Sequence, residues 1–400
     1  MEDFNNFDDI RKSRKEAIKE EEAYNKKYNK KKGGFLRFLK RFLVILLLLV
    51  IIAAGLVVIY VTQKLSLVKY EVVDVNDIAI DEVVETKLEK YRSIALLGVD
   101  TYGEGYNLNE RTDCIIIATI NNETNEVKLT SVYRDFYCDV DEMNDWNGDQ
   151  STWHTTLDKV NHAYFYGGAQ NTLKSLNKAL DLNIKEAVTV NFDAVSSLID
   201  EIGGIDLYIT SEEVGIINGY IKDVANLTGK DATRITTAGK QHVNGVQATA
   251  YCRIRYTAGS DYKRAERMRY VLEQALAELK KKDLGQINHI ADVILPKISL
   301  TNIDSMELLG FATSLGSYSL TEDFGFPYKS LSWGSAPWDV PCTLESNVKR
   351  LHADLFGETD YEVSATVKDL SDRIIAKTGL TEKSVSYEHE NTMDKLKPEL

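Results

Sequence analysis

The stretch "CIIIATINNETNEVKLTSVY", Cys114–Tyr133, reads as two strands joined by a turn. Its first part, Cys114–Ile120, is a short apolar run rich in β-branched residues. Its last part, Val127–Tyr133, alternates apolar and polar, and "NNETNE" between them is turn-forming. Just upstream, "SIALLGVD" (Ser93–Asp100) is another apolar strand, running into a Gly- and Asn-rich loop. Downstream the pattern alternates. A helix over Leu173–Leu180 precedes the strand "AVTVNF", and a helix over Ala194–Gly204, stopped by glycines, precedes the strand "IDLYIT". Ser211–Val243 reads as an insertion or a long polar excursion. "GVQATAYCRIRYT" holds a short helix and then a strand carrying Arg253 and Arg255. A helix over Asp261–Lys282 is capped by Ser260 or Asp261 and has an apolar face of Met268, Val271, Leu272, Ala275, Leu276 and Leu279. Helices in "LGQINHIADVILPKI", "SMELLGFATSL" and "ESNVKRLHADLF" and a strand in "KSLSW" complete the domain. Strands alternating with helices predict an α/β fold of three layers, α/β/α, with a mixed central sheet.

Around this domain the chain is uneven in charge. It has 400 residues and a net charge of −13. Lys26–Arg41 holds eight basic residues and no acidic one, and "FLVILLLLVIIAAGLVVIYV" (Phe42–Val61) follows without a charge. At about 1.5 Å rise per residue, that run crosses a hydrocarbon core of about 30 Å. It is too long for a signal peptide, and no clear A-x-A site follows. The basic flank predicts a cytoplasmic N-terminus, a single membrane span and an external domain. Residues 1–41 hold 13 of the 48 Lys and Arg and 8 of the 61 Asp and Glu, which leaves 35 against 53, net −18, beyond them. Such an acidic surface excludes general binding of nucleic acid, so any anion site must be local.

Against that background, "YCRIRYTAGSDYKRAERMRY" (Tyr251–Tyr270) concentrates Arg253, Arg255, Arg264, Arg267 and Arg269. Arg253 and Arg255 would share one face of a strand, and Arg264 and Arg267 neighbour each other on a helix. Together with a helix N-terminus they form an anion site, and their number suits a pyrophosphate. Asp261 stands at the junction. Two further clusters lie at strand ends. Arg111 and Asp113 flank the start of one strand, near Asp100 at the end of another, and Arg134 and Asp135 close the hairpin. Paired carboxylates beside phosphate suit Mg2+. Salt bridging alone would explain each cluster singly, but less readily all three. Cys114, Cys138, Cys252 and Cys342 allow three full disulfide pairings or none, and their spacing gives no zinc motif. His162 reads as structural, and no histidine falls in an H-E-x-x-H motif.

In order along the chain, "IALLGVDT", "ERTDCIIIATINNETNEVKLTSVYRDFY", "DKVNHAYFYGG", "LIDEIGGIDL" and "GVQATAYCRIRYTAGSDYKRAER", behind a basic tail and membrane span, resemble the LytR–CpsA–Psr family. The resemblance implies a membrane-anchored, extracellular phosphotransferase that moves a glycopolymer from a polyprenyl-pyrophosphate lipid onto peptidoglycan. It implies Mg2+ on Asp100 and Asp113, pyrophosphate on Arg111, Arg134, Arg253, Arg255 and Arg264, and a functional role for Asp261. By position Arg267 joins the pyrophosphate group, and Arg134, Asp113, Asp100 and Asp261 form the catalytic set. The expected organisation is a cytoplasmic tail (1–41), a transmembrane helix (42–62), a stalk (63–90), a catalytic domain (91–381, core motifs 91–282) and a polar C-terminal tail (382–400). Two positions depart from the family: Met268 stands where Gln is usual and Tyr133 where Pro is common. An apolar groove between sheet and helices is expected for the prenyl chain. A hydrolase using the same site, or a non-catalytic cell-wall adaptor, are the alternatives.

Overall fold

The computed structural model describes residues 12–23, 69–99, 110–143, 153–257, 260–335 and 338–385. The apolar run Phe42–Val61, Asp100 and the end of the C-terminal tail lie outside them. The chain divides into two units, Met1–Lys64 and Leu65–Leu400. In the first, residues 12–23 form an exposed helix, α1. Among the described residues no helix is long and apolar enough to cross a membrane.

The second unit is built on the hairpin. Helix α2 (Glu82–Lys87) precedes strands β1 (Tyr91–Val99), β2 (Thr112–Asn121) and β3 (Glu126–Val132). These three pair antiparallel in sequence, with Leu96 opposite Ile116 and Ala118 opposite Leu129. Next come β4 (Tyr137–Met143) and β5 (Trp153–Lys159), a separate hairpin, then α3 (Val160–Leu180), β6 (Glu186–Asn191), α4 (Phe192–Glu201), β7 (Ile205–Ile209), α5 (Ser211–Thr228), β8 (Gly239–Val243), α6 (Gly245–Arg253) and α7 (Ser260–Leu279). The chain ends through α8 (Leu284–Ile294), β9 (Ile298–Thr301), α9 (Ser305–Ser314), β10 (Ser319–Phe326), β11 (Ser330–Trp333), β12 (Trp338–Pro341), α10 (Leu344–Phe356) and α11 (Ala365–Thr378). The central sheet runs β10-β3-β2-β1-β6-β9. It is mixed: β6 lies parallel to β1 and β10 parallel to β3, while the other neighbours are antiparallel.

The apolar runs in β1 and β2 follow from cover on both faces. Ala95, Leu97, Val99, Ile115 and Ile117 join one core with Tyr164, Leu173, Leu176 and Leu180 of α3 and the inner faces of α10 and α11. On the opposite face Leu96, Ile116, Val188 and Val190 meet α4 and α7. Ile78, Val84 and Leu88, from the segment expected as a stalk, are buried in the first core.

A second core corrects the reading of Ser211–Val243 as a polar excursion. Thr210 and Glu213 form a capping box that starts α5, and Gly229, at φ 67°, ends it. Ile217, Ile221 and Val224 are buried against β7, β8 and α6. The intervening Glu, Gly, Asn, Lys and Asp positions lower the average apolarity, so the helical period is diluted although its apolar face is intact. β7 and β8 pair with each other outside the central sheet. Close helix packing here requires one glycine. A Cβ on Gly245 would sit 1.9 Å from the Ser196 carbonyl oxygen of α4. Without it, the Gly245 N–H donates to Asp200 Oδ1 at 2.7 Å.

Candidate functional site

The site forms where β2 begins, β3 ends, α6 ends and α7 begins. "CRIRYT" does not continue as a strand: the Asn244–Gln247 capping box starts α6, which runs to Arg253, and Ile254 leaves it extended. Arg253 therefore belongs to a helix end, and Arg255 to the unpaired backbone after it. The two arginines still line one cleft, together with Arg264.

Asp113 is the hub. Arg134 Nη1 donates to its Oδ1 at 2.7 Å, and Arg255 Nη2 donates to its Oδ2 at 3.0 Å. Arg264 Nη1 reaches the same Oδ2 at 3.4 Å. Asp261, in the first turn of α7, faces the same three arginines: its Oδ1 lies 3.0 Å from Arg264 Nη2, 3.6 Å from Arg255 Nε and 3.9 Å from Arg134 Nε. Two carboxylates thus share three guanidiniums. Arg264 is almost wholly buried, whereas 36% of the Arg255 side chain is exposed, so the knot has a fixed floor and an open rim. Burial pushes the Asp113 carboxyl up, but Arg264, Arg134 and Arg255 outweigh it and hold it below the usual carboxylate range. Burial lowers Arg264, with the neighbouring Arg255 and Arg134 adding to the effect, against the pull of Asp113 and Asp261.

The loop after β3 is braced from below. Lys159 Nζ pairs with Asp135 Oδ1 at 2.7 Å, beside Arg134. Tyr133, at the position commonly Pro, packs edge-on against Tyr262 with ring centroids 4.6 Å apart. Its hydroxyl lies over Gly325, where an added Cβ would come within 2.0 Å. Tyr262 donates to Asp339 Oδ1 at 2.8 Å. Asp339 is buried, and burial raises its carboxyl to about 6. This support was not foreseen, since nothing in "WDVP" marks Asp339 as a partner of Tyr262.

Other expected residues stand elsewhere. Arg267 is not in the cluster. It is buried, donating through Nε to Glu213 Oε1 at 2.7 Å, to the Ile254 carbonyl at 3.0 Å and to Thr257 Oγ1 at 2.7 Å. Three positions from Arg264 on the helix, it points to α5 instead of the cleft, and ties α5 to the loop after α6. Arg111 is exposed, with its guanidinium 5.8 Å from the Phe165 ring centroid, and makes no ion pair with Asp113 or Asp261. Arg253 lies over Phe192 at 5.3 Å. Asp100 lies outside the described residues. His162 is tied locally: its Nδ1 meets Asp158 Oδ2 at 2.5 Å, and Trp338 Nε1 donates to Asp158 Oδ1 at 3.2 Å. All four cysteines are free thiols.

Beside a narrow gap of about 10 Å³ lined by Asp113, Arg134, Asp261 and Arg264, two larger cavities adjoin the knot. One, about 230 Å³, lies between the sheet and helices α4 and α7, and its wall is almost wholly apolar: Leu96, Ile116, Val188, Val190, Leu198 and Leu272 among others. The other, about 420 Å³, is polar and open, lined by Asp113, Arg253, Arg255 and Arg264 and by residues of α5. Met268 and Asp113 line both. Among the described residues no group of three or more His, Cys, Asp or Glu could hold a metal on its own.

Known proteins resemble this chain in sequence and fold. Over 182 residues the chain is 33% identical to the polyisoprenyl-teichoic acid–peptidoglycan teichoic acid transferase TagU of Enterococcus faecalis, a match covering 45% of this chain and 51% of that one. Over 244 residues it is 28% identical to the transferase TagT of Bacillus subtilis, covering 59% and 69%. The chain thus spans about half the length of the first relative and 69% of the second. Two solved structures share its fold. The Streptococcus agalactiae protein gbs0355 has a TM-score of 0.55 at 24% identity, over 71% of this chain and 92% of that one. TagT bound to LIIa-WTA has a TM-score of 0.51 at 22% identity, over 68% and 92%. The LytR_cpsA_psr family model matches residues 57–325, two thirds of the sequence, and the chain belongs to that family.

Proposed function

We propose that this protein is a phosphotransferase that moves a glycopolymer from a polyprenyl-pyrophosphate carrier onto peptidoglycan. One observation carries the reading: three guanidiniums, tied down by two carboxylates, lie where an apolar cavity meets a polar cleft, with Met268 between them. A prenyl pyrophosphate has that same division, an apolar chain on a compact polyanion. The relatives' names specify teichoic acid transfer to peptidoglycan.

In the reaction an acceptor hydroxyl oxygen bonds to the sugar-bearing phosphorus and its proton passes to solvent. The phosphoanhydride bond breaks, and prenyl phosphate leaves with the electron pair. Charge develops on the bridging and terminal oxygens, where Arg134, Arg255 and Arg264 stabilise it from fixed positions. Arg264 is preorganised by burial, and Arg134 is held by the Asp135–Lys159 brace. Asp113 gives up its guanidiniums to the incoming anion. While paired with them it is a poor proton acceptor, since they hold its carboxyl low.

Mg2+ fits the donor chemistry. Asp113 and Asp261 offer hard carboxylate oxygens beside a phosphate site, and Mg2+ takes one or two carboxylates with phosphate and water. Asp113, with Asp100 as the resemblance implies, would hold it. When bound it would neutralise phosphate charge. The run Phe42–Val61 would anchor the protein in the membrane, beside a lipid-borne donor and with the catalytic unit outside.

The test uses the full chain in detergent with a polyprenyl-pyrophosphate oligosaccharide, short glycan strands and Mg2+. Mass spectrometry follows sugar and prenyl phosphate. Sugar joined to glycan, lost on Arg134→Ala and Asp113→Ala, is expected. Prenyl phosphate without glycan product would replace the transferase reading with a hydrolase. No Mg2+-dependent release by a folded chain would leave an adaptor.

A further inference from the structure

Asp339, on β12, is 6% exposed, takes no part in the proposed step, and stands beyond residue 325, where the family match ends. Two elements that carry guanidiniums meet on it. Its backbone N–H donates to the Asp135 carbonyl at 2.8 Å, next to Arg134, and Phe136 pairs with it as an isolated parallel bridge. Its Oδ1 accepts from the Tyr262 hydroxyl at 2.8 Å, and Tyr262 lies between Asp261 and Arg264 in the first turn of α7. Arg134 enters the site from the loop after β3, and Arg264 enters it from α7. The gap between them is only about 10 Å³, and Arg134 Nε and Asp261 Oδ1 lie 3.9 Å apart there.

Resting on the transferase reading, we infer that Asp339 is a positioning residue: it clasps the Arg134 loop to the first turn of α7 and so sets the span over which Arg134 and Arg264 grip the diphosphate. Farther along, α7 is fixed by other ties. Arg267 pairs with Glu213, and Arg269 Nε meets Asp323 Oδ2 at 3.2 Å, both arginines being buried. Losing the clasp would therefore loosen the first turn, where Asp261 and Arg264 stand, and leave the rest of the helix in place. Tyr262 is shaped for the contact. Its ring packs edge-on against Tyr133, whose own N–H donates to the Phe326 carbonyl at 2.9 Å, and its hydroxyl reaches past to Asp339. A carboxylate acceptor makes this one of the stronger hydrogen bonds. Charge stabilisation needs donors held in place before the charge develops, and a displacement of about 1 Å can cost about a hundredfold in rate. The clasp should thus govern turnover more than donor affinity, because slightly displaced arginines still attract a diphosphate.

The test measures steady-state turnover by the full chain in detergent, with a polyprenyl-pyrophosphate oligosaccharide, short glycan strands and Mg2+, and follows folding by circular dichroism. Tyr262→Phe keeps the ring against Tyr133 and removes only the hydroxyl. It is expected to lower kcat about 10- to 100-fold with the donor KM within about threefold of the parent. Asp339→Ala should do the same, and the double variant should be no slower than the slower single one, since both remove one contact. Asp339→Asn, whose amide oxygen still accepts from Tyr262, should keep kcat within about fivefold of the parent. A folded Tyr262→Phe that turns over at the parent's kcat would overturn the inference. Single effects that multiply in the double variant would do so too, as would Asp339→Asn as slow as Asp339→Ala, which would assign the effect to charge. Activity lost only in step with folded protein would also overturn it, leaving Asp339 a structural prop. No turnover by the parent itself would refute the transferase reading, and the inference with it.

Discussion

Removing the Arg267 guanidinium should cost stability, not charge in the cleft. The side chain is 3% exposed and its partner Glu213 only 2%. Arg267→Met would fill much of the space but leave Glu213 as an uncompensated buried carboxylate. It would also free the Ile254 carbonyl and Thr257 hydroxyl from their donor. Removing one partner of a buried pair costs about 3–5 kcal/mol. With a urea dependence of about 2–3 kcal/mol/M, the unfolding midpoint should fall by about 1–2.5 M. All four tryptophans lie beyond residue 64, so their fluorescence in the full chain reports this unit. Adding Glu213→Gln removes the stranded charge and should recover about half of the loss, a coupling that a double-mutant cycle isolates. In the folded baseline, affinity for geranyl diphosphate should match the parent. An unchanged midpoint, or weakened diphosphate binding with full stability, would refute the structural role and return Arg267 to the anion site.

Arg134→Ala should leave the fold intact and reduce turnover by about 10²–10³, the range for losing one preorganised charge-stabilising donor; steady-state rates with the folded variant check it. His352 is fully buried, stacked on Tyr361, and burial lowers its imidazole from 6.5 to about 4. The unfolded chain therefore binds a proton that the folded chain refuses. Stability is full above pH 6.5 and falls by about 1.4 kcal/mol per unit between 6.5 and 4, so urea midpoints across that window should flatten in His352→Phe. Gly245→Ala puts a methyl where Ser196 O lies 1.9 Å away, and should destabilise by about 1–3 kcal/mol through separation of α4 from α6, read by denaturation.

Sequence pattern reached four of the six sheet strands, β1, β2, β3 and β6, because they are apolar or alternating runs with visible turns; it left out the edge strands β9 and β10. It reached the helix after Asp261 because Met268, Val271 and Ala275 keep a helical period. It failed where backbone and tertiary context decide. "CRIRYT" carries alternating residues that suit a strand, yet the capping box at Asn244 commits the residues up to Arg253 to a helix, and among the described residues no strand pairs with Ile254–Thr257. Arg264 and Arg267 read alike in one dimension. They separate only because α5, hidden under its polar positions, supplies Glu213 as a buried partner for one of them. Asp339 arrives from far along the chain and could be assigned only by folding.

The concentration of arginines in an acidic domain then has a physical account. Guanidiniums placed together repel, and Arg264 is buried as well, so some anion must be present in the resting protein. Asp113 and Asp261 fill that role from within the chain. They keep the arginines aligned without a ligand, and they set a threshold for one. A monoanion entering the cleft must compete with two carboxylates for three guanidiniums and gains little. A diphosphate brings more charge and more oxygens, and can take over the contacts of both. The carboxylates it releases are hard oxygen donors at the same point, which is where a divalent cation would find them. On the proposed reading the site would be selective by exchange, excluding anions too weak to displace its own aspartates.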